Sequence, residues 1–84
     1  MRTIQLFVKA PPGNGYTCPE AMKRIDDHLT QQTASCFLAP TGMPEPEKDG
    51  SWQIRVFDEG QVGFVKFILT THYGLEILRE QELA

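Results

Sequence analysis

Cysteine is scarce in this chain: Cys18 and Cys36 are the only two among 84 residues. Two cysteines make no disulfide framework, so a reduced, cytoplasmic protein is the simplest expectation. Long apolar runs are missing as well. Nothing approaches the roughly 18 consecutive apolar residues of a membrane-spanning helix, so no membrane partner is expected. The opening Met-Arg-Thr-Ile-Gln-Leu-Phe-Val-Lys is too alternating for the apolar core of a secretory signal. Basic clusters are lacking too. Arg2, Lys9, Lys23, Arg24, Lys48, Arg55, Lys66 and Arg79 are scattered, and the net charge is −3. Nucleic-acid binding leaves a basic footprint, so no nucleic-acid partner is expected.

What is present reads as an ordinary globular composition, with 40% apolar and 23% charged residues. The length predicts a single compact domain over residues 1–84. A chain of this size buries only somewhat more than about 60% of its unfolded surface, which leaves little core to spare.

Residues Thr3 to Ala10 read as a strand, with Ile4, Leu6 and Val8 on one face. Pro11-Pro12-Gly13-Asn14-Gly15 ends it. Thr17 and Glu20 have capping-box spacing with Pro19 in the first turn, which predicts a helix from Thr17 to about Gln32. Met22, Ile25 and Leu29 form its apolar stripe. Ser35 to Ala39 is a short strand candidate, and Thr41 to Gly50 reads as an exposed loop.

The segment from Trp52 to Leu69 predicts a hairpin turning at Glu59-Gly60. Trp52, Ile54, Val56, Val65, Phe67 and Leu69 then share one apolar face. The opposite face holds Gln53, Arg55, Phe57, Val62, Phe64, Lys66 and Ile68, four of them apolar. The tail from Glu76 to Ala84 is rich in helix formers and is read as a short helix, although Tyr73, Leu75 and Ile77 also alternate as in a strand. The expected fold is a small α+β two-layer sandwich of order β-α-β-β-β-α. Its sheet is mainly antiparallel, with helices on one face.

Cys18 is the sharpest chemical candidate, because a helix N-terminus favours a thiolate. The strand, the glycine loop and Thr17-Cys18-Pro19-Glu20-Ala21 opening a helix resemble the active-site turn of glutaredoxins. The resemblance covers about a dozen residues and would imply thiol chemistry at Cys18 on a trimmed thioredoxin-like core. Ala21 stands where a second cysteine would be, and the family's cis-proline and Gly-Gly segments have no counterpart. Cys36 reads as a small hydrophobe. Cys18, His28, Cys36 and His72 match no standard zinc spacing, so neither metal nor cofactor is expected. His28 borders the apolar stripe of the helix. Gly13-Asn14-Gly15 lacks the lysine of a phosphate-binding loop and reads as a strand-to-helix turn.

No motif names a reaction, and the leading expectation is a binding or assembly module without catalytic machinery. Its interface would be the second sheet face: Arg55, Phe57, Val62, Phe64, Lys66 and Ile68. The partner would be a protein, with a homodimer as the simplest case, because wet apolar surface costs about 25 cal/mol per Å2. The alternative is a thiol-dependent protein using Cys18. A further alternative is a small-ligand binder between the Gly13–Tyr16 loop and the His72-Tyr73 turn, with Tyr16, Tyr73 and Trp52 as lining.

Overall fold

The computed structural model describes residues 2–33, 36–37 and 44–83. Strand β1 (Thr3–Lys9) leads into helix α1 (Pro19–Thr33), then strand β2 (Cys36–Phe37) and strand β3 (Trp52–Val56). A helical run over 59–72 follows, with helix α2 (Val62–Phe67) at its centre. Strand β4 (Glu76–Leu83) comes last. The sheet order is β2-β3-β1-β4, and every neighbouring pair is antiparallel. Two βαβ units are thus interleaved, a split-βαβ arrangement. The α+β class and the antiparallel sheet with helices on one face are as expected.

The last two elements are not. Residues Val62 to Leu69 are helical rather than the second arm of a hairpin. The local cause is Asp58. Its side chain accepts the Gly60 N–H at 2.9 Å, and its carbonyl accepts the Gln61 N–H at 2.9 Å. The expected hairpin turn is therefore the capped first turn of a helix. Val62, Val65, Ile68 and Leu69 then fall on the buried side, and Phe64 and Phe67 on the exposed side. That is a helical period hidden inside β-branched and aromatic residues, whose composition argued for a strand. The tail is correspondingly a strand, because the free edge of β1 is open to it. Backbone pairing along β1 outweighs the helix propensity of Glu76 to Leu83.

Smaller differences concern α1 and β2. Helix α1 starts at Pro19 rather than Thr17, which makes Cys18 the capping position. The Cys18 carbonyl accepts the first helical bond, from Met22 N–H at 3.1 Å. Within the expected strand Ser35 to Ala39, Cys36 and Phe37 pair with Val56 and Arg55. The other residues of that segment, and the side chain of Cys36, lie outside the described residues.

Alternation sorts the sheet into two faces. Leu6 pairs with Ile54 and Val8 with Trp52, and all four side chains face the helices. Met22, Ile25 and Leu29 of α1 join Val62, Val65, Ile68 and Leu69 to close one core over them. Each such side chain contributes about 1.5–3 kcal/mol on full burial. The other face carries Gln5, Phe7, Lys9, Gln53, Arg55 and Arg79, and among the described residues no helix covers it. Leu78 is an extra residue between Ile77, opposite Val8, and Arg79, opposite Phe7, so β4 bulges there. The outer strand β4 is otherwise charged. Glu80 pairs with Lys66 of α2, and Glu82 with Arg2 at 3.2 Å. Charge along an edge strand discourages pairing with further strands.

Candidate functional site: an aromatic belt on the helical side

Two loops meet at one end of the sheet, because Lys9 at the end of β1 pairs with Glu76 at the start of β4. Asn14, in the loop after β1, ties them together. Its Nδ2 donates to the Tyr73 carbonyl at 2.8 Å, and its Oδ1 accepts the Tyr16 N–H at 3.0 Å. Gly74 permits this approach. Its φ is +65°, and a Cβ there would stand 3.0 Å from Asn14 Nδ2. The helical run ends in a π-helical turn, Ile68–His72. There Thr70 Oγ1 donates back to the Lys66 carbonyl at 2.8 Å. The wider turn sets His72 outward and Tyr73 inward, toward α1.

These local features line up six rings. The Tyr16 ring meets Tyr73 edge-on at 5.1 Å, and Tyr73 meets His28 at 5.6 Å. His28 lies 5.9 Å from His72, and His72 lies 6.3 Å from Phe67. Phe64 stands one turn before Phe67 on the same face of α2. The Tyr73 hydroxyl is hydrogen-bonded to His28 Nδ1. Phe67 is 55% exposed and Phe64 is 44% exposed, the largest values for apolar residues on the helices. An edge-to-face pair such as Tyr16–Tyr73 is worth about 0.5–1.5 kcal/mol beyond its burial.

Burial pushes the Tyr73 phenol above its ordinary ionisation range, with the Tyr16 phenol adding to the effect. The unfolded chain loses this proton first as pH rises. Stability from this group is therefore complete below the ordinary phenol pKa of about 10 and declines above it. An alkaline phenolate titration of the folded protein should show a late-ionising tyrosine. Tyr73→Phe should remove that late component, and its persistence in the variant would contradict the assignment.

The expected site residues are distributed differently from the sequence reading. Tyr16, His72 and Tyr73, expected around one pocket rim, are brought together. Trp52, expected to line the same pocket, is 1% exposed and belongs to the core. The expected six-residue interface does not exist as one surface. Val62 and Ile68 are buried in the core, Lys66 is paired with Glu80, and Arg55 points to the opposite side of the sheet. Phe64 keeps an exposed position, as does Phe57 beyond the end of β3. Phe67, expected in the core, is the most exposed of these rings. His28 was not expected in a site, and Asn14 was expected there only as part of the Gly13–Tyr16 loop. Cys18 is exposed at the start of α1, and the likeness to a thioredoxin-type core ends at that local turn, since the chain closes in α-β rather than β-α.

No protein-family model matches the chain, and no curated protein or solved structure shows significant similarity to it. Among the described residues no helix is long and apolar enough to cross a membrane. Among the same residues no group of three or more His, Cys, Asp or Glu side chains is placed to hold a metal ion.

Proposed function

We propose that this protein is an assembly module that pairs with a second copy of itself through the aromatic belt. The observation that carries the reading is the exposure of Phe64 and Phe67 side by side on α2, continuous with His72, His28, Tyr73 and Tyr16. Aromatic side chains at the centre of a surface are the usual anchors of protein contacts.

Charge favours a second copy over an unlike partner. In a two-fold dimer every group near the axis faces its own copy, so any carboxylate or ammonium group there meets a like charge. The belt contains none. The exposed residues one helical turn from Phe64 and Phe67, namely Gly60, Gly63, Thr70 and Thr71, are also uncharged. Rings of this kind cover about 150–250 Å2 each when buried, so six partly exposed ones supply on the order of 400–500 Å2. That is over half of the roughly 800 Å2 per partner in a standard interface.

Light scattering on a size-exclusion column tests the proposal. The wild-type mass should climb from 9.5 kDa toward twice that value as the concentration is raised from about 10 μM to about 1 mM. Phe67→Glu and Phe64→Glu should each give a monomer. Both side chains are solvent-exposed in the single chain, so the circular dichroism spectrum of each variant should be unchanged. A wild-type monomer at about 1 mM, where even weak association shows, would overturn the proposal. Folded variants that remain dimeric would do the same.

A further inference from the structure

The open face of the sheet carries a second feature, independent of the aromatic belt. A cleft of about 660 Å3 lies between that face and the turn over 47–51. Its floor is Phe7, Gln53, Leu78 and Arg79, and its wall includes Lys48 and Ser51. This volume falls in the range of small-ligand sites, about 300–1,000 Å3.

The wall is built by internal bonds. The Glu47 N–H donates to the Ser51 carbonyl at 2.8 Å, and the Gly50 N–H donates to the Glu47 carbonyl at 2.9 Å. Gly50 takes φ +85°, where side chains are strained. Ser51 donates to Asp49 Oδ1 from both its backbone N–H, at 2.9 Å, and its hydroxyl, at 2.6 Å. These bonds, the hydroxyl one foremost, hold the Asp49 carboxyl below its ordinary range. The floor is tied in as well. Gln53 Nε2 donates to Glu47 Oε1, and Gln5 Nε2 donates to Gln53 Oε1.

The charges of the cleft are therefore unequal in what they offer. Both carboxylates, Glu47 and Asp49, accept hydrogen bonds from neutral groups of the cleft. Among the described residues neither Lys48 nor Arg79 forms an ion pair. The Arg79 guanidinium carbon sits 4.1 Å from the centroid of the Phe7 ring, so one side of a planar cation is already occupied. The bulge at Leu78 sets Arg79 opposite Phe7. Lys9 and Arg55 point to the same face. The open sheet face thus carries Lys9, Lys48, Arg55 and Arg79 beside the carboxylates of Glu47, Asp49 and Glu76.

We propose that this cleft binds a small planar aromatic anion of the nucleoside monophosphate type. The base stacks on the outer side of the Arg79 guanidinium, extending the Phe7–Arg79 stack. The phosphate is neutralised by Lys48, and the Gln53 amide lies within the cleft to read polar edges of the ring.

Backbone NMR titration of the full chain tests this with AMP, adenosine, inorganic phosphate and an oligoadenylate of about ten nucleotides, enough to span the face. AMP should give saturable shifts at Phe7, Lys48, Ser51, Gln53 and Arg79, with Kd below about 1 mM. Adenosine and phosphate should each bind at least about tenfold more weakly, because each keeps half of the contacts. Arg79→Gln should weaken AMP at least about tenfold, the scale of one charge-assisted contact, while its own spectrum reports whether it folds. Arg24→Gln, on the exposed side of α1, should leave AMP binding unchanged. Absence of saturable shifts with AMP would overturn the proposal, as would AMP binding indifferent to Arg79→Gln. Oligoadenylate binding with no response to AMP would overturn it in favour of a single-stranded polymer.

Discussion

Trp52→Ala is expected to remove about 3–5 kcal/mol of stability, the usual cost of truncating a large aromatic in a packed core. Trp52 is 1% exposed, sits at the start of β3 opposite Val8, and touches the core that both helices close. Domains hold about 0.05–0.15 kcal/mol per residue, so a chain of this length has on the order of 4–12 kcal/mol in all. The substitution thus takes a quarter or more of the total, and from a chain near the lower end of that range it leaves a partly unfolded population at room temperature. Urea unfolding followed by circular dichroism measures it, since Trp52 is the sole tryptophan and its fluorescence is lost with it. Trp52→Phe keeps most of the volume and should cost distinctly less. A loss under about 1 kcal/mol for Trp52→Ala would mean that the side chain is not a core residue.

The second large effect concerns the helical run. Lys66→Pro should cost about 3 kcal/mol or more, because proline removes a helical N–H and drives its ring against the carbonyl four residues earlier. That carbonyl belongs to Val62, in the first turn of α2. The matched control is Lys66→Ala. It deletes only the partly exposed ion pair with Glu80, and exposed pairs are worth about 0–1 kcal/mol. A helix-specific penalty therefore appears as the difference between the two variants in the same urea measurement. Equal, small losses from both would contradict a helix at this position.

Lys66 also marks where the sequence is hardest to read. Val62, Phe64, Val65, Phe67, Ile68 and Leu69 are residues that fit a pleated strand, and they alternate well enough to pass for one. The helical period was present at the same time, in Val62, Val65 and Leu69. Asp58 decides between them through its bond to the Gly60 N–H, but an Asp followed by Glu-Gly also begins hairpin turns. Once that run is helical, the edge of β1 is free, and residues 76–83 fill it against their own preference. By contrast, β1, α1 and β3 were legible, because each has one strong period with clear breakers at its ends. The candidate sites follow the same division. Tyr16, His72 and Tyr73 were readable as loop and turn residues, yet only the packing of α1 against the π-helical turn adds His28. Arg79 over Phe7 depends on the register of β4, which no local signal in the tail announces.

The interleaved strand order also has a consequence for how the chain is made. β1 emerges from a ribosome ahead of both its neighbours, β3 and β4, with Thr3 paired to Leu83. During synthesis the central strand of the sheet has neither partner, and Leu6 and Val8 have only α1 to shelter them. Such distant pairings are slow to form and leave apolar strands open to association in the meantime. A nascent chain stalled before β3 would therefore present β1 as an unpaired, apolar strand, one stalled before β4 would still leave one of its edges open, and these are the forms of this protein most in need of a chaperone.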